Sequence, residues 1–140
     1  MTRTMEDTMN IKRFVIASIA VFILIQAVDW LVHGVLLSGW YAEIKGVWRP
    51  DMMNLMWVQV LATLFFSFMF VFIFTKGYEG KGIPEGIRYG LYIGLLVNVS
   101  GMFGQYFMYP IPLGMALVWV AYGIVEMIIA GTVAAVIYRK

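Results

Sequence analysis

The chain has 140 residues, 62% of them hydrophobic and 13% charged, with a mean hydropathy of +0.85 and a formal net charge of +2. A water-soluble domain of this size needs far more charge to cover its surface, and the apolar residues here run in long unbroken stretches, so the composition points to a compact helical bundle in a membrane. With no cysteine there can be no disulfide, thiolate metal centre, iron–sulfur cluster or dithiol redox chemistry; the single histidine excludes bis-histidine haem ligation within one chain, and the small net charge speaks against a nucleic-acid surface.

The first predicted span covers about residues 14–37 and follows Arg3, Lys12 and Arg13. Basic residues ahead of an apolar run resemble a signal peptide. This run is too long for a signal core, and no clear small-residue cleavage site follows, so a retained span is expected. In the connection over about residues 39–53, Trp40, Ile44, Val47 and Trp48 recur at i, i+4, i+7 and i+8, ahead of Pro50. That spacing predicts a short helix lying in the headgroup region between spans 1 and 2.

The second span covers about residues 54–74 and includes the run LATLFFSFMFVFIF. Lys76 and Gly77 suit its C-terminus, where a cation and a glycine are favoured. The polar loop GYEGKGIPEG follows, with Pro84 at a first helical position and Glu85 beside the positive end of the next helix dipole. The third span covers about residues 86–109. Pro110 and Pro112 then make a tight turn that forces the fourth span, about residues 113–138, to lie antiparallel beside it. Each span has at least about 20 residues, enough to cross roughly 30 Å of hydrocarbon.

Charge asymmetry gives the expected orientation. Arg3, Lys12, Arg13, Lys76, Lys81, Arg88, Arg139 and Lys140 share one side, and only Lys45 and Arg49 fall on the other. Cytoplasmic segments carry the excess of Lys and Arg, so both termini are expected inside. All five tryptophans, Trp30, Trp40, Trp48, Trp57 and Trp119, then fall toward the outer side. Tyr78, Tyr89 and Tyr138 mark the inner edge. Such a one-sided distribution fits either a chance bias in the aromatic belt or an aromatic surface near the outer leaflet.

Asp29, His33 and Glu126 are the ionisable residues well inside the apolar spans, where a charge needs a partner or a purpose. Gln26, Gln59, Asn98 and Gln105 complete a candidate polar or proton site biased toward the same side. Trp30, Trp119 and Tyr122 form a candidate aromatic surface for a lipid or a quinone-like ligand. In the plainer alternative these polar groups are packing glue, each contact contributing roughly 0.6–2 kcal/mol, with Asp29 and His33 neutralising each other at i, i+4. A buried carboxyl with a nearby histidine suits proton or cation handling. Small proton-coupled exporters share the four-span size but carry their essential glutamate in the first span, so the likeness is one of size alone. Asp29 and His33 at i, i+4 could chelate one metal ion with Glu126 as a third ligand, yet Glu-x-x-His occurs on no helix, and no metal or cofactor is expected. Gly-x-Ser-x-Gly, a phosphate-binding glycine loop and His-Glu-x-x-His are absent, so no catalytic residues are assigned.

Gly86, Gly90 and Gly94, continued on the same face by Gly101, predict close helix contact, either within the bundle or with a partner. The stretch IPEGIRYGLYIGLL, the FMYPIP turn and a glycine-containing last span ending in Tyr-Arg-Lys resemble small four-span proteins of bacterial membranes. That resemblance covers the C-terminal two thirds of the chain. It implies a bacterial cytoplasmic (inner) membrane and no particular activity. The expected fold is an all-α four-helix membrane bundle forming one domain. The expected role is a non-catalytic accessory or structural subunit whose partners are the bilayer and other membrane subunits or copies of itself, with no nucleic acid. A small proton- or ion-coupled transporter is the alternative, and lipid or quinone-like ligand binding the third.

Overall fold

The computed structural model describes residues 8–139, which are mostly helical with no strand among them. Arg3 and Lys140, both used in the charge count, lie outside the described residues. Four helical stretches are long and apolar enough to cross a membrane: Ile11–Leu36, Met52–Lys76, Ile83–Met108 and Leu113–Ile137. The protein is accordingly a small multi-pass membrane protein.

Helix α1 (Ile11–Leu31) starts at Asn10, whose side-chain oxygen accepts from the Arg13 N–H at 3.1 Å and satisfies one of the free amides of the first turn. It runs into a π-helical turn, Val32–Leu36, and then the short helix α2 (Ser38–Glu43). The spacing of Trp40, Ile44, Val47 and Trp48 predicts one continuous helix there, but the helix stops at Glu43 and a separate 3-10 turn covers Lys45–Val47. A second 3-10 turn, Met52–Leu55, leads into α3 (Met56–Lys76). Helix α4 (Ile83–Gly94) has Pro84 in its first turn, passes through another π-helical turn, Leu95–Val99, and continues as α5 (Ser100–Met108). Extended backbone at Tyr109 and Pro112 turns the chain into α6 (Leu113–Ile137).

Helix α6 is the centre of the bundle, with α4 against one side and α1 against another, while α3 packs mainly on α1. The α4–α6 contact is backbone on backbone. A Cβ on Gly90 would overlap the Met127 carbonyl, and one on Gly86 would overlap the Gly131 carbonyl. A Cβ on Gly131 would in turn strike the Gly86 carbonyl, and one on Gly94 would stand 3.1 Å from the Ile124 Cα. The glycine series of the third span is therefore used within the bundle from Gly86 to Gly94. Gly101 differs from the expectation: nothing lies within 4 Å of where its Cβ would be. It follows the π turn, which rotates α5 off the α4 register.

At the end that carries the termini, α1, α3, α4 and α6 close on Ala17, Val21, Phe70, Val71, Phe74, Ala130, Ala134 and Tyr138. Ser18 and Ser67 are fully buried there, and each hydroxyl donates to a carbonyl one turn back in its own helix, so small polar residues pack at no hydrogen-bonding cost. The Tyr89 hydroxyl donates to the Phe70 carbonyl, joining α4 to α3. The loop after α3 is held by Glu85, which is buried. Its two carboxylate oxygens accept from the Glu79 and Lys81 N–H groups at 2.6 and 2.8 Å. Gly80 and Gly82 have φ of 75° and 72°, a left-handed backbone that only glycine adopts freely. The Asn10 amide donates to the Tyr138 hydroxyl at 3.3 Å, bringing the first and last helices together at this end.

Candidate functional site

A second core occupies the opposite end, around Val32, Leu37, Ile111, Met115, Ala116 and Trp119, with Tyr41, Trp48 and Tyr122 packed against it. The π turn after α1 and the short α2 fold the connector back over this end. Tyr41 consequently stacks on the His33 ring at 5.7 Å, and Trp48 meets Tyr41 edge-on at 5.4 Å. Trp119 of α6 lies 6.3 Å from the Tyr41 ring and 6.4 Å from that of Trp48.

The polar atoms inside this aromatic shell form a chain. The Trp119 indole N–H donates to the Tyr41 hydroxyl at 2.8 Å. Tyr41 bonds His33 Nδ1, His33 Nε2 bonds the Tyr122 hydroxyl, and Tyr122 donates to Asp29 Oδ1 at 3.2 Å. His33 Nε2 also lies 3.8 Å from Asp29 Oδ1. The Trp119 indole can only donate, so the Tyr41 oxygen accepts there, and with the Tyr122 proton committed to Asp29 a neutral His33 ring donates from Nε2 and leaves Nδ1 to accept the Tyr41 proton. The neutral imidazole then carries its proton on Nε2, Tyr122 accepts it, and the Tyr122 proton goes to Asp29. Every donor finds an acceptor in one direction, from Trp119 to the carboxylate. Burial pushes the Tyr41 phenol up to about 12, with the Trp119 indole N–H opposing the shift and Asp29 adding to it. Tyr41 therefore remains a proton-bearing donor at neutral pH.

Glu126 sits one helical turn beyond Tyr122 on α6 and is 6% exposed. Its Oε1 is a buried polar atom without a hydrogen-bond partner among the described residues. A buried unpaired polar group costs about 1–3 kcal/mol. Asn98 belongs to the second π turn, donates to the Gly94 carbonyl at 3.1 Å and fills the space left by Gly123 of α6. Both π turns thus carry polar residues of the predicted cluster, one His33 and the other Asn98. Such turns often mark functional sites because they free backbone groups and redirect side chains.

The remaining predicted residues separate from this group. Gln26 is half-buried on α1. Gln59 is exposed and reaches Thr63 on its own helix at 3.4 Å. Gln105 is exposed on α5. Trp30 is 70% exposed, whereas Trp119 is buried and Tyr122 half-buried. Among the described residues, no group of three His, Asp or Glu side chains is placed to hold a metal ion. Sequence reasoning passed over Tyr41, which completes the chain. The available signal was a hydroxyl-bearing aromatic in a tryptophan-rich connector beside the one histidine.

No protein-family model, no curated protein and no solved structure matches the chain.

Proposed function

We propose that this chain is a small proton-handling membrane protein of the bacterial cytoplasmic membrane, with both termini inside, in which Asp29, His33, Tyr41 and Tyr122 relay protons between the outer face and Glu126. The observation that carries the reading is the one-directional hydrogen-bond chain ending on Asp29, with a buried carboxyl bearing an unpartnered oxygen one turn deeper. Shifting the proton of each bond in turn moves one proton from Tyr41 to Asp29, and Tyr41 is reprotonated by water at the outer face while the Trp119 indole keeps its own proton. Tyr122 donates to Asp29 at 3.2 Å and stands one helical turn from Glu126 on α6. Transport of an ion or small solute coupled to that proton is the corresponding physiological role.

The test is reconstitution of the purified chain in liposomes under an imposed pH gradient, with a pH-sensitive dye inside. Wild type is expected to dissipate the gradient, and Glu126→Gln to behave as protein-free liposomes. Equal rates for wild type and Glu126→Gln would sink the proposal.

The accessory-subunit reading draws support from a different region. The outer part of the third span presents Phe107 and Met108, 90% and 70% exposed, a face available to another membrane helix or to lipid. Its other argument, the glycine face, is weaker because Gly86, Gly90 and Gly94 already contact α6. Co-purification with a larger complex in mild detergent would favour this second reading.

A further inference from the structure

At the end of the bundle opposite the relay, a groove of about 560 Å³ opens between the start of α1 and the end of α6. Asn10, Lys12, Arg13 and Arg139 form its polar rim, and Ile16, Val136 and Ile137 its apolar wall. We infer that this groove binds the phosphate of an anionic glycerophospholipid, with the acyl chains running along Ile16 and Val136.

Charge, depth and shape support the assignment together. Three cations surround the groove, and none of them takes part in the ion pairs found among the described residues, which involve Asp29, Asp51 and Glu79. Arg13 donates one N–H to the Arg139 carbonyl, which joins the two helix ends and leaves further guanidinium donors in a fork suited to phosphate oxygens. The rim lies where the first and fourth apolar helices begin and end, the depth of a headgroup. Ile16 and Val136 are 48% and 41% exposed on the adjoining side, a surface that a hydrocarbon chain covers and a soluble anion leaves bare. Basic pockets between membrane helices on the cytoplasmic side recognise lipid headgroups in this manner, and the volume is on the scale of a small-molecule site. The groove is independent of the relay and requires no proton chemistry.

The experiment is native mass spectrometry of the full chain in a non-ionic detergent, offered phosphatidylglycerol and phosphatidylcholine at equal concentration. Wild type is expected to favour the anionic lipid by about thirtyfold or more, the scale set by two or three cations near a headgroup. Arg13→Gln with Arg139→Gln should bring that ratio near one, while Lys81→Gln with Arg88→Gln, basic residues outside the groove, should leave it unchanged. If the first double variant does not fold, Lys12→Gln alone should lower the preference severalfold. An unchanged preference in the groove variants would overturn the site. Displacement of phosphatidylglycerol by inorganic phosphate would assign the groove to a soluble anion and overturn the lipid.

Discussion

The two ends of this bundle solve the problem of a membrane interior in opposite ways. The end bearing the termini is built from glycine, alanine and aromatic rings, and its two fully buried serine hydroxyls are satisfied within their own helices. The connector end is built around a histidine, two tyrosines and a carboxylate that satisfy one another across α1, α2 and α6, with a glutamate oxygen left over. Between them the helices change character, through a π turn after α1 and another after α4. One end is a scaffold whose tolerance is set by backbone clearance. The other is held by hydrogen bonds between polar side chains.

That contrast fixes the order of expected effects. Gly90→Leu should be the most damaging change, because its Cβ already overlaps the Met127 carbonyl. Overpacking of this kind costs about 3 kcal/mol or more when backbone is the neighbour, and loss of a monodisperse elution peak in detergent would register it. Gly101→Leu is the paired control and should elute as wild type, since nothing stands within 4 Å of that position.

Glu85→Ala should come next. It removes both acceptors from the Glu79 and Lys81 amides, a loss of about 1–3 kcal/mol, and should open the loop to protease. Tyr41→Phe acts at the other end by a similar amount, leaving the Trp119 N–H and His33 Nδ1 without their shared partner. Trp fluorescence should shift as Trp119 loses its hydrogen bond, and proton flux should fall with it. A Tyr41→Phe protein with unchanged flux would reduce the relay to packing.

The smallest effect is expected from pH at the loop. Hydrogen bonding and charge from Lys81, with help from Arg88, hold the exposed Glu79 carboxyl below the usual glutamate range. A carboxyl depressed in the folded state contributes stability above its unfolded pKa, and that contribution is lost as pH falls through the folded value. Amide exchange in the loop should therefore quicken at strongly acid pH and show no matching change in Glu79→Gln.

Much of the scaffold was legible in the sequence because its signals are long or local. Span length, the proline turn at Pro110 and Pro112, and the glycine spacing of Gly86, Gly90 and Gly94 all act over contiguous residues. Glu85 was legible only in part: its place near a helix start fits the dipole, but its bonds to the Glu79 and Lys81 amides depend on the loop conformation. The polar site was harder. Asp29, His33, Asn98 and Glu126 stand out as polar residues in hydrocarbon, yet so do Gln59 and Gln105, which the structure leaves exposed. A uniform helical period cannot separate them, because the π turns shift the register beside His33 and after Gly94. Tyr41 was hidden because the connector is two short turns instead of the single helix its tryptophans imply.

The central claim is that Glu126 exchanges protons through the relay. Infrared difference spectroscopy of the reconstituted chain, stepped from acid to alkaline pH, tests it most directly. The account predicts a carboxyl C=O band that is missing in Glu126→Gln and responds more slowly in Tyr122→Phe. An identical carboxyl spectrum in wild type and Glu126→Gln would contradict it.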